Sequence, residues 1–147
     1  MHTLTDTDEE LVTVNLTNRF PFFGTNRREL TLSTNGWLTL TADYAGPTAP
    51  DNVPMPDPAE PNDVVAPYWD DLDVISLCTH EDGTGRFIAQ WRATVKTSGE
   101  EIAFQAILYD ETHGQAGDVE FVYGALGAVH DGDSATVGIE NDDGLSW

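Results

Sequence analysis

The sequence predicts an all-β fold, an antiparallel β-sandwich or flattened barrel crossed by one long proline-rich surface loop. Three observations predict it. Apolar residues recur with period two, clusters of Gly, Asn, Asp and Ser separate the alternating runs, and no stretch carries the 3.6-residue period of an amphipathic helix. At 147 residues the chain has the length of one domain, and a single sandwich over 1–147 is expected.

Taken in order, residues 1–10, "MHTLTDTDEE", read as a flexible acidic N-terminus; with no basic stretch and no apolar core they are not a secretory signal. "ELTLSTNGWLTL" reads as a hairpin. Asn35-Gly36 suits a two-residue type I′ turn between Leu30–Leu32 and Leu38–Leu40, because both residues tolerate positive φ. Residues 43–63 hold Pro47, Pro50, Pro54, Pro56, Pro58 and Pro61. Proline fixes φ and lacks the backbone donor, so this segment is expected to be an irregular excursion, a strand crossover or a contact with a partner. "VVAPYW" then gives a short buried strand ended or edged by Pro67, with Trp69 as an anchor filling the gap between two sheets, its indole N–H needing an acceptor.

Further on, Phe87, Ala89, Trp91, Ala93 and Val95 share one face of a strand, with Ile88 breaking the pattern. Ile102, Phe104, Ala106 and Leu108 do the same, as do Val119, Phe121 and Tyr123, and Ala135, Val137 and Ile139. The turns between them fall at 80–85, 96–101, 111–118 and 130–133.

Charge is the strongest compositional signal. Acidic residues number 26 against 6 basic ones, a net charge of −20. Self-repulsion of this size weakens the compact state at low salt and is screened at high salt, which points to a halophilic source. Nucleic acid and anionic membrane surfaces are excluded as partners because the basic footprint they require is missing. No apolar run reaches the length of a bilayer span, so membrane insertion is not expected. With one cysteine, Cys78, no intrachain disulfide forms.

The stretch "APYWDDLD" (66–73) sets Asp70, Asp71 and Asp73 beside two large aromatics. Asp71 and Asp73 lie two residues apart on one strand face, a spacing open to a glycosidase-like carboxylate pair, but no second motif accompanies them. Calcium is the stronger chemical reading for the acidic turns, since it takes carboxylate oxygens. The candidate ligands are Asp70, Asp71, Asp73, Asp131, Asp133 and Asp142, with Glu81/Asp82 and Glu140/Asn141/Asp143 beside them. None reproduces an EF-hand: from Asp131 the sixth position is Thr136 and the twelfth Asp142. The plainest reading leaves these acids at the surface and requires no cofactor. Cys78-x-His80 is at most a two-ligand fragment, and neither a dinucleotide fingerprint, a nucleophile elbow nor a phosphate loop is present. "NLT" at 15–17 matches the N-glycosylation triplet.

The blocks "FPFFG" (20–24), "LTLSTNGWLTL" (30–40), "VVAPYWDDLD" (64–73), "FIAQWRAT" (87–94), "FQAILYD" (104–110), "VEFVYG" (119–124) and "TVGIEND" (136–142) follow one another in the order of a nidogen-like (NIDO) domain. The resemblance runs from about Phe20 to Asp143. It implies an all-β extracellular module of adhesion or architecture, without catalytic residues, in which the "NGW" and "APYWDDLD" blocks are structural. The 43–63 excursion is longer than the resemblance implies, and a further strand is expected beyond Trp147.

The expected function is therefore a non-catalytic structural or adhesion module, extracellular or on a cell surface, meeting protein partners or its own copies through loops and an open strand edge. The missing signal raises a virion component as the alternative. A carbohydrate-binding module is a further one, in which Trp37, Tyr44 or Trp147 would form an exposed aromatic face.

Overall fold

A computed structural model describes residues 2–124 and 134–147. Among them there is no helix. Ten strands form two antiparallel five-stranded sheets that face each other without closing into a barrel. One sheet contains β1 (His2–Thr7), β6 (Leu72–Glu81), β7 (Arg86–Val95), β8 (Glu101–Tyr109) and β9 (Val119–Tyr123), in that order. The other runs β10 (Thr136–Ile139), β5 (Val64–Trp69), β4 (Leu38–Thr39), β3 (Thr25–Ser33) and β2 (Leu11–Phe22).

The alternation read from the sequence does the folding work in β7 and β8. Phe87, Ala89, Trp91, Ala93 and Val95 turn inward, and their partners Ile102, Phe104, Ala106 and Leu108 join them in the core between the sheets. The opposite wall is Leu16, Phe20, Phe22, Leu30, Leu32, Leu38, Leu40, Val65 and Tyr68. Trp91 stands at its centre, stacked on Phe104 with centroids 5.3 Å apart and donating its indole N–H to Ser33 O at 2.9 Å.

Three expectations are corrected. The N-terminal segment is not a flexible tail: His2–Thr7 pairs with β6 from His2↔Thr79 to Thr7↔Val74, and Leu4 packs against the core. Its alternating threonines are good strand formers, and they outweigh the local acidity. The 30–40 hairpin forms, but Leu32 pairs with Leu38, so the loop holds Thr34, Asn35 and Gly36, and only Gly36 takes a positive φ, +77°. A β-carbon on Gly36 would meet Tyr68 O at 1.9 Å, so glycine is required there for space as well as for φ. Asn35 is freed from the turn's backbone demands, and its buried side chain bridges three segments. Its Oδ1 accepts from Leu72 N at 3.2 Å, while its Nδ2 donates to Thr48 O and Glu9 Oε2, each at 3.2 Å.

The third correction concerns Trp69, which does not lie between the sheets. Trp37, Val64, Ala66 and Trp69 form a second buried cluster, separate from the first, against which Tyr44, Ala49, Val53 and Met55 of the proline-rich segment pack. The register explains which of the two neighbours, Tyr68 or Trp69, faces the inter-sheet core. Gly138 pairs with Ala66 and Thr136 with Trp69, so β5 carries one extra residue in the stretch that includes Pro67, where a ladder donor is not needed. Tyr68 then faces inward and Trp69 outward.

Candidate functional site

The chain leaves β5 through Asp70, and the three acids of "APYWDDLD" separate at once. Asp70 is buried; its Oδ1 accepts from Asp71 N at 2.9 Å and its Oδ2 from Ser134 Oγ at 2.6 Å. Its own N–H donates to Asn35 O at 3.2 Å, so Asp70 fastens the turn to the β3–β4 loop. Asp71 and Asp73 lie toward Lys96, whose Nζ is 2.8 Å from Asp71 and 3.9 Å from Asp73. Asp8 and Glu9, from the β1–β2 connection, complete the group at 2.8 and 3.9 Å from the same ammonium. Hydrogen bonds to Asp71 and then Asp8 hold Lys96 charged well above the usual lysine range.

Oxygens of Asp8, Glu9 and Asp71 lie within 4.8 Å of one another, a spacing that suits a hard cation by distance alone. The chain's single lysine stands among them as the balancing charge. Sequence reasoning found Asp71 and Asp73 but missed Asp8, Glu9 and Lys96. A lone lysine in so acidic a chain is the one signal that could have pointed there.

Among the described residues, the other candidate ligands do not join this group. Asp131 and Asp133 lie outside the described residues. Asp142 is largely exposed, 3.9 Å from Arg27. The Glu81 carboxylate accepts from Thr17 N at 2.8 Å and Thr17 Oγ1 at 2.6 Å. Asp82 closes its own turn, accepting from Thr84 N and Oγ1 at 2.8 and 2.7 Å and from Arg86 Nε at 2.6 Å, contacts that hold its carboxyl far below the usual range.

Two buried acids anchor the proline-rich segment: Asp63 at its end, which the sequence did not single out, and Glu140, one of the acids named beside the calcium candidates. Asp63 contacts Arg27 at 2.5 Å, and burial, outweighing that neighbour, pushes its carboxyl up to about 6. Glu140 is 1% exposed and accepts Asp57 N at 2.7 Å; its carboxyl is likewise raised by burial.

These contacts belong to a wider system that pins the segment as a roof. Thr48 O accepts Trp37 Nε1 at 3.2 Å and Ser33 Oγ at 2.9 Å in addition to Asn35, and Ala49 O accepts Trp69 Nε1 at 2.7 Å. Farther along, Asn52 Nδ2 donates to Ser134 O at 2.8 Å and Thr136 Oγ1 donates to Val53 O at 2.9 Å. Trp37 is therefore fully buried, with Tyr44 edge-on to it at 5.8 Å, and offers no face to a sugar. Trp147, 83% exposed, is the only tryptophan open to solvent among the described residues. The recess nearest the Lys96 group, about 250 Å³, is lined by Asp6, Asp8, Asp73 and Thr94 among others and contains no histidine, cysteine or serine. No helix among the described residues is long and apolar enough to cross a membrane.

No curated protein and no solved structure matches the chain. The NIDO-related family does, over residues 1–147, in line with the ordered blocks and the two-sheet architecture. Such domains are of structural or adhesion type and typically extracellular. The chain is a member of the NIDO-related family.

Proposed function

We propose that this chain is a non-catalytic structural or adhesion module, displayed on an exterior surface in salty surroundings. The observation that carries the reading is how its chemistry-bearing groups are used. Asp70, Asp71, Asp82, Glu81 and Glu140 each hold a loop or strand in place. Four of the six basic residues, Arg27, Arg86, Arg92 and Lys96, are also tied into ion pairs within the chain. The 26 acidic residues far outnumber the 6 basic ones, and this excess of negative charge suits brine and protein partners and is hostile to polyanions. Docking through loops and sheet margins fits the exposed Val122 and Tyr123 on β9 and Val137 on β10.

Two measurements test this reading. The melting temperature should climb steadily from low to molar potassium chloride; a flat response would remove the saline setting. Protease treatment of intact source cells should degrade the chain. If it instead co-sediments with particles after lysis, it is a virion component, and if it survives inside intact cells the exterior reading fails.

A further inference from the structure

We infer that Asn15 is an N-glycosylation site, carrying a glycan beside the open recess between β2 and β6. The chain has seven asparagines, and only Asn15 opens an Asn-x-Thr triplet, Asn15-Leu16-Thr17. Five of the others, Asn18, Asn35, Asn52, Asn62 and Asn141, commit their side chains to hydrogen bonds inside the fold. Asn15 does not; its side chain is exposed, while Leu16 beside it is buried. The β2–β3 ladder breaks after Asn15↔Glu29 and resumes at Phe20↔Arg27, so a group attached at Asn15 borders a gap in the pairing. Next to it opens a recess of about 440 Å³, lined by Val14, Asn15, Thr79, His80, Glu81 and Phe87. Its exposed rim carries the polar side chains of His80 and Glu81, partners for the hydroxyls of a first sugar residue.

Timing follows from Thr17. Its hydroxyl, which the transferase must recognise, donates to Glu81 Oε2 at 2.6 Å in the folded chain, and its N–H is held by the same carboxylate at 2.8 Å. Transfer therefore precedes the docking of β2 against Glu81. The donor is a lipid (pyro)phosphate-linked oligosaccharide. The bond from its anomeric carbon to the phosphate oxygen breaks, the bond to Asn15 Nδ2 forms, the amide loses one proton, and the lipid (pyro)phosphate leaves.

The inference rests on the exterior reading above, and the test separates the two. The full chain is isolated from the outside of its source cells and cleaved after Arg19. The peptide 1–19 should be heavier than its sequence by a sum of monosaccharide residues located on Asn15. Asn15→Gln and Thr17→Val should abolish that mass, and Thr17→Ser should retain it, which separates loss of the triplet from loss of folding. An unmodified Asn15 in externally recovered chain overturns the inference and leaves the exterior reading standing. A chain found only inside intact cells overturns both.

Discussion

On one face of the β10-β5-β4-β3-β2 sheet, strands pack against strands; on the other, the same strands pack beneath a loop containing six prolines. Both layers bury tryptophan, but they satisfy it differently. Trp91 finds its acceptor in Ser33 O, at the end of a strand in the facing sheet. Trp37 and Trp69 find theirs in Thr48 O and Ala49 O, carbonyls of the loop itself. A loop has backbone acceptors that no ladder uses, and an outward-facing indole has a donor that no sheet satisfies. Each removes the other's desolvation cost. Proline suits such a roof because a chain already restricted in φ loses less entropy when fixed.

The comparison breaks most sharply by truncating each layer. Trp91→Ala should cost about 3–5 kcal/mol, measured by denaturant unfolding, and weaken amide protection across β7 and β8. A loss below 1 kcal/mol would show that the inter-sheet layer is not the main core. The next effect comes from Asp63, under the roof. Its folded carboxyl titrates at about 6, above the unfolded range. Its contribution is therefore fully present below about pH 4 and lost as pH rises through 6. The stability of the wild type relative to Asp63→Asn should fall between about pH 4 and pH 7, by up to about 3 kcal/mol; a constant difference contradicts the buried-acid assignment. Smaller again is the effect of Trp69→Phe, which keeps most of the apolar area but leaves Ala49 O without its donor. It should cost about 1–3 kcal/mol and open the roof to protease while β7 and β8 stay protected. The smallest effect is expected from chelation. With Lys96 among Asp8, Glu9 and Asp71, added chelator at fixed ionic strength should leave the melting temperature of the wild type unchanged, and a drop would assign a cation to these acids.

Strands β7 and β8 were legible because each residue's face is set by its own alternation. The second layer was half-legible. Val64–Trp69 is a nearly unbroken apolar run, the mark of a strand buried on both faces, and Trp37 sits between the buried Gly36 turn and Leu38. Proline content pointed only to an irregular surface excursion, a strand crossover or a partner contact, because composition reports that a segment is not a strand and is silent on what it covers. The one-residue irregularity that sends Tyr68 inward and Trp69 outward has no periodic signature. Nor does the Lys96 group, whose partners Asp8 and Lys96 are 88 residues apart in sequence. Asp70 and Asp71 were grouped because they are adjacent, yet adjacent residues leaving a strand face opposite ways, one to the turn's interior and one to the lysine.

The claim that the proline-rich segment is a fixed roof is tested most directly by indole N–H exchange on ¹⁵N-tryptophan-labelled chain. The four indoles should divide three to one, with Trp37, Trp69 and Trp91 strongly protected and Trp147 exchanging at the rate of free tryptophan. If Trp37 and Trp69 exchange as fast as Trp147 while Trp91 stays protected, the sandwich stands without its roof and the account of the second layer is wrong.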